Sequence, residues 1–293
     1  MGRPGRPSPV SVWAAGLGIV LGLVAHPFAA RAHDVWLEPT SFRPEPGASV
    51  AIEVMVGEDF EGEAVPRRPT RIRDFRHGDG ATWETVRGVD GVAPAGVVRI
   101  PREAEGWHVV RYLSRPAHVS LSPERFALHL EQEGIAHLLA GRPLPAEAQP
   151  VRERYTRCVG ALLEVRSAAA LASGRNAGSL PPPPNDCELV LWPESIAPAD
   201  PAVAAGSAER RWRVDFRLTR DGSALAGAVV RALLQGSPDV RLEARSGVDG
   251  GVELMLPRAG VWLIKAIHME PAAEEDVDWR SWWSTLTFEV GDG

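Results

Sequence analysis

The chain has 293 residues, a formal net charge of −6 and two cysteines. The acidic balance argues against nucleic acid as a partner, because a phosphate backbone is met with clustered positive charge. Lys265 is the one lysine and it follows isoleucine, so no Gly-Lys-Ser/Thr phosphate loop exists and nucleotide hydrolysis by that route is excluded.

Residues 1–32 have the form of a secretory signal peptide. Arg3 and Arg6 give a basic start, AAGLGIVLGLVA gives a short apolar core, and Ala30-Arg31-Ala32 gives the small-x-small cleavage box. The run is short for a bilayer span, and Pro27 interrupts the stretch between it and the cleavage box. Cleavage after Ala32 leaves a 261-residue chain that begins at His33, is periplasmic or secreted, and has lost three arginines, so its charge becomes −9. No later segment is apolar for long enough to span a membrane.

Residues 33–150 read as a β-rich domain with a helix. SVAIEVMVGE places Val50, Ile52, Val54 and Val56 on one side of a strand, and GVVRIP and GWHVVRYLS look like further strands. SPERFALHLEQEGIAHLLAG changes period: Ser122 caps, Pro123 opens the helix, and Phe126, Leu130 and Leu138 recur at helical spacing before Gly141. Residues 151–186 read as a connecting segment. Its first part, VRERYTRCVGALLEV, leaves helix and strand open, and its last part carries four prolines at 181–184. Cys158 and Cys187 pair as one disulfide in an exported protein, or remain two buried thiols. Residues 187–293 alternate at hairpin-like intervals, with RVDFRLTRDG, LAGAVVRALL, GGVELMLP, GVWLIKAIHM and STLTFEV as strands, and 261–268 apolar enough on both faces to be central. The fold class is therefore mainly β, with two β-sandwich-like lobes and one or two helices in the N-terminal lobe.

Six blocks in order, AHDVWLEP, VGEDFEGE, SPERFALHLEQEG, RERYTRC, PRAGVWLIKAIHM and DWRSWWSTLTFE, resemble an exported bacterial domain-of-unknown-function family. That family is often labelled a periplasmic, nickel- or cobalt-uptake-associated component. The C-terminal part is separately similar to transthyretin-like and carboxypeptidase-regulatory-like β-sandwich modules, most of which bind or present. The first resemblance implies nickel or cobalt as ligand. The expected ligand is a divalent transition metal (nickel, cobalt or copper), with the membrane subunits of a metal transporter as the natural partner of a chain that cannot itself cross a membrane. The resemblance also implies a processed N-terminus in the metal site. In those relatives the histidine comes after another residue, whereas here the predicted cut makes it the first.

His33 and His268 are the candidate metal ligands. A histidine at a free N-terminus can chelate through its amine and a ring nitrogen, and such nitrogen donors suit Cu(II), Ni(II), Co(II) or Zn(II) better than Mg or Ca. His268 lies where the expected central strand emerges into the acidic loop EPAAEEDVDW. His108 and His118 sit on adjacent expected strands without metal-type spacing, and His129 and His137 read as packing or surface residues. Trp279, Trp282 and Trp283 read as core, or alternatively as a stacking platform for a carbohydrate, peptide or envelope component that a non-catalytic sandwich would bind. No Gly-x-Ser-x-Gly elbow and no His-Glu-x-x-His pair occurs, and the chain reads as a non-enzyme.

Overall fold

The computed structural model describes residue 2, residues 33–142, residue 144, and residues 149–173, 178–199 and 211–291. The predicted signal segment and its cut after Ala32 therefore lie outside the described residues. In chain order the N-terminal strands are β1 (Asp34–Pro39), β2 (Ser49–Glu58), β3 (Glu61–Val65), β4 (Ile72–Gly78), β5 (Trp83–Thr85), β6 (Gly96–Arg99), β7 (Gly106–Ser114) and β8 (Ala117–Leu121). Helix α1 (Pro123–Gln132), strand β9 (Val151–Val165) and helix α2 (Ala168–Ala172) come next. The remaining strands are β10 (Leu189–Pro198), β11 (Trp212–Arg220), β12 (Ser223–Ala224), β13 (Val229–Leu234) and β14 (Ser237–Arg245). The last three are β15 (Gly251–Leu256), β16 (Gly260–Pro271) and β17 (Trp279–Val290).

The protein is mainly β, as its alternating patterns predict. One nine-stranded sheet runs β14-β13-β16-β17-β9-β7-β4-β5, with β8 paired to the first half of β9. Two four-stranded sheets cover its opposite faces, β1-β2-β3 with β6 on one side and β10-β11-β12 with β15 on the other. Each small sheet closes a sandwich. The first encloses Leu37, Ile52, Val110, Ala161 and Leu163, and the second Val214, Phe216, Trp262, Ile264 and Phe288.

Segment 151–165, assigned by composition to the connecting stretch, is the strand that joins the two sandwiches. Most of its second half is buried on both faces, so it has no period to read. It pairs antiparallel with β7 and parallel with β17, from Trp279↔Glu153 to Thr287↔Ala161. Strand β16 lies between β13 and β17, which explains its apolar character on both faces. Helix α1 begins where Ser122 Oγ accepts a bond from the Arg125 backbone N–H (3.4 Å), with Pro123 at the first helical position. Its apolar stripe, Phe126 and Leu130, packs on Trp279, Trp283 and Ile267 of the large sheet.

The prolines 181–184 are held in place, since Trp192 Nε1 donates to the Pro181 carbonyl (2.8 Å) and Cys187 is bonded to Cys158. The disulfide ties the end of this segment to β9 across 29 residues. Replacing both cysteines by alanine is expected to cost roughly 3–4 kcal/mol from loop closure alone. A urea denaturation series on oxidised wild type and Cys158→Ala/Cys187→Ala measures it, and a cost below about 1 kcal/mol would show that the loop is already confined without the bond.

Candidate functional site

Strand β1 is the edge of its sheet, and its outward carbonyls would be unpaired without help from the large sheet. Thr285 Oγ1 donates to the Val35 carbonyl and Thr287 Oγ1 to the Leu37 carbonyl, both at 2.7 Å, and Arg157 Nη2 donates to the His33 carbonyl at 3.0 Å. The start of the strand is fixed more firmly still. Asp34 is buried and accepts from Lys265 Nζ through both oxygens, at 2.8 and 2.9 Å. The same ammonium donates to Glu133 Oε1 (3.1 Å), at the end of α1, and Glu133 also meets Arg231 (3.3 Å). Burial alone would lower the Lys265 pKa, but Asp34 and then Glu133 outweigh it and hold the ammonium above its ordinary value. Burial raises the pKa of the Asp34 carboxyl, and the ammonium that serves both of its oxygens opposes that rise. No sequence period signals this lysine, whose partners lie 231 and 132 residues away.

Residue 33 thus stands where β1 begins, at the lip of a 560 Å3 cavity between the first small sheet and the large one. Its Nδ1 is buried without a hydrogen-bond partner and lies 3.6 Å from Glu58 Oε1. Glu58 is carried there by the β2–β3 hairpin, a two-residue turn in which Asp59 and Phe60 both take positive φ (56° and 65°). Such a turn usually takes Asn-Gly or Asp-Gly, and a phenylalanine there carries backbone strain that burial of its ring offsets. Phe60 is 4% exposed and meets Trp36 edge to face at 5.4 Å, which fastens the hairpin onto Leu233 and Leu263 of the large sheet. The register sets Glu58 opposite Glu61, and Glu63 lines the cavity.

His268 is elsewhere. On β16 it shares parity with Trp262, Ile264 and Ala266, which face the C-terminal core, and it stacks on its register partner Trp282 at 5.9 Å. The opposite face of β16 carries Lys265 and Ile267, on the side of β1 and α1. The large sheet therefore lies between His33 and His268, and these two do not share one ion. Burial lowers the pKa of His268, with the nearby Glu270 carboxylate (3.8 Å) acting against it. Among the described residues no group of three or more His, Cys, Asp or Glu side chains is arranged to hold a metal ion.

His77, His108 and His129 fill structural places. His108 stacks on His77 (5.3 Å between centroids) rather than meeting His118, and His129 stacks on Trp283 at 5.5 Å. Trp279, Trp282 and Trp283 are 7%, 2% and 3% exposed. Their faces are covered by α1, by His129 and by arginines such as Arg220, so they form no surface platform.

The interior of the cavity is built by alternate residues of β9. Glu153, Tyr155 and Arg157 point to the β1 side, opposite Trp279, Ser281 and Trp283 of β17. Arg157 lies 4.3 Å above the Tyr155 ring and 5.3 Å from that of Trp283. Glu153 is 1% exposed; its Oε1 accepts from the Ser281 hydroxyl, which in turn accepts from Trp283 Nε1 (3.1 Å), and its Oε2 has no partner. Burial pushes the Glu153 carboxyl above the usual carboxylate range against the weaker opposing pull of Ser281 and Arg157. The remaining wall is largely apolar, with Val35, Val54, Val56, Val65 and Ile72, while Arg68, Arg71 and Arg115 stand around the cavity on exposed positions.

No family model matches this chain and no curated protein matches it. Its fold and its cavity define a mainly β protein in which two sandwiches share one sheet.

Proposed function

We propose that this chain is an exported, non-catalytic binding protein for a divalent transition metal, nickel, cobalt or copper, acting in uptake or handling, with His33 as its principal ligand. The observation that carries the reading is the His33 ring: its Nδ1 is buried, without a hydrogen-bond partner, and beside the Glu58 carboxylate at the lip of a cavity. Cleavage after Ala32 would add the α-amine, and amine and Nδ1 together close a chelate ring on one ion. Glu58 supplies a third donor. The Lys265–Asp34 contact and the Arg157 bond hold the first two residues still, which lowers the ordering cost of binding. The resemblance of the six sequence blocks to a nickel- and cobalt-uptake-associated family supports the same reading, with a transporter's membrane subunits as the receiving partner. No helix among the described residues is long and apolar enough to cross a membrane. The rival reading, a tryptophan-lined platform for carbohydrate or peptide, has its rings in the core.

The test uses protein exported and processed by a bacterial host, with its first residue established by intact mass. Calorimetric titration with Ni(II), Co(II), Cu(II) and Zn(II) should show one ion bound per chain. The affinity should fall at least roughly 100-fold in His33→Ala and when one alanine is placed ahead of His33, since each removes a nitrogen donor. His268→Ala should leave it unchanged. Equal affinity in His33→Ala would discard the proposal.

A further inference from the structure

The cavity beside His33 has more room and more positive charge than a chelated ion needs. Five arginines line it, Arg67, Arg68, Arg71, Arg115 and Arg157, in a chain whose overall charge is −6. Arginine is nearly the only basic residue here, so its choice over lysine carries no weight; its placement does. Arg67 is engaged by Asp90 (3.3 Å) and by the Ala95 carbonyl (2.9 Å). Arg68, Arg71 and Arg115, in contrast to Arg67, make no ion pair among the described residues. Unpaired guanidinium groups gathered around one concavity create a local positive field that draws anions in and offers them bidentate donors.

Two of the residues that line the cavity from one side of β9 also carry an unsatisfied atom: Arg157 Nε and Glu153 Oε2 are buried and have no partner. A buried polar atom without a partner costs about 1–3 kcal/mol, and a ligand that reaches it recovers that energy. Arg157 can only donate. Glu153 can donate an O–H only in its protonated form, which burial favours. An acceptor oxygen answers Arg157 and, in that form, Glu153.

The rest of the wall sets the body of the ligand. Val35, Val54, Val56, Val65 and Ile72 with the Tyr112 ring give an apolar surface, and 560 Å3 falls within the range of small-molecule sites. Inorganic phosphate would satisfy the arginines and leave this apolar wall in water. A neutral hydrocarbon would fill the wall and leave the donors unanswered.

We propose that this cavity binds a small organic acid with a compact apolar or aromatic body, its carboxylate taken by Arg157 and Glu153 beneath the arginine rim and its body resting on the valines of β1, β2 and β3. The donors invoked for the acid are not the metal ligands His33 and Glu58, although Arg157 braces both sites through its bond to the His33 carbonyl. Organic acids that also chelate cations would meet both sites at once, and for such a ligand the arginine rim would select the anionic complex.

The test is calorimetric titration of the processed chain stripped of metal on a chelating resin, so that neither metal nor soluble chelator contributes and its outcome stands apart from that of the His33 chelate. Hexanoate and phenylacetate are compared with hexanamide, phenylacetamide and inorganic phosphate. At least one of the two acids should bind one per chain, at least roughly tenfold more tightly than its amide and than phosphate. Arg157→Met should weaken that acid roughly 10- to 100-fold, the loss of a charge-assisted hydrogen bond. Arg115→Gln, at an exposed position where folding is not at stake, should weaken it severalfold and reduce its salt dependence. An amide that binds as well as its acid, phosphate that competes equally, or absence of binding by both acids would each overturn the proposal.

Discussion

Lys265→Met is expected to destabilise the protein by about 3–5 kcal/mol, the cost of leaving a buried charge without its partner. The side chain is 11% exposed and its partners Asp34 and Glu133 are 5% and 9% exposed. Glu133 keeps Arg231 when the ammonium is gone, whereas Asp34 loses its direct ion-pair partner. The substitution therefore acts chiefly on the second residue of the predicted mature chain. Lys265→Met/Asp34→Asn should recover part of the loss, because it removes the stranded carboxylate along with the ammonium. Urea denaturation at neutral pH reads both variants. A single variant within about 1 kcal/mol of wild type would show that the cluster is solvated rather than buried. The same lesion reaches function: with Asp34 released, His33 loses its fixed place at the cavity lip, and metal affinity should fall in Lys265→Met as well.

Acid should destabilise this protein before most of its carboxylates titrate. His77 and His129 are 5% and 6% exposed, and burial lowers each from the ordinary 6.5 to about 4, helped by the His108 charge at His77 and by Lys265 at His129. Each has an Nε2 without a partner, so nothing in the fold welcomes a second proton. The unfolded chain binds protons at these rings near pH 6.5 while the folded chain refuses them until about pH 4. Stability is therefore complete above roughly pH 6.5 and falls as pH drops through that window. At about pH 4.5 the two together amount to roughly 5 kcal/mol, comparable with the whole stability of many domains.

Carboxylates such as Asp74, Asp79 and Asp278, held below their ordinary value by hydrogen bonds and arginines, act at still lower pH. Glu153, held above it by burial, acts in the opposite sense and offsets part of the loss. Urea midpoints between about pH 7 and 4.5 should show the decline, and His129→Phe should make it shallower. An unchanged slope in that variant would place the lability elsewhere.

Much of the fold is local and legible in the sequence. Alternation at 49–56 and 213–218 appears as β2 and β11, and the Ser122-Pro123 start appears as the cap of α1. These signals survive because turn chemistry, capping and side-chain period act within a few residues. Strand β9 is not legible: a segment buried on both faces looks the same as a buried helix, and only its parallel pairing with β17 reveals it as the seam of the molecule.

The candidate site divides in the same way. His33 stands out by its position after a cleavage box, a local feature, and Glu58 lies within the block VGEDFEGE without a mark of its own. His268 is singled out by strand parity and acidic surroundings, both local, but parity says only that residues share a face. Which face meets β1 is decided by packing, and packing puts the large sheet between the two histidines. The single lysine shows no pattern at all, because a charge buried by partners 132 and 231 residues away leaves no trace along the chain. Sequence alone determined strands, turns, the helix cap and the histidine at the predicted N-terminus, because each depends on near neighbours. Tertiary structure decided the seam, the cavity and the company His33 keeps, because these depend on register and on which faces meet.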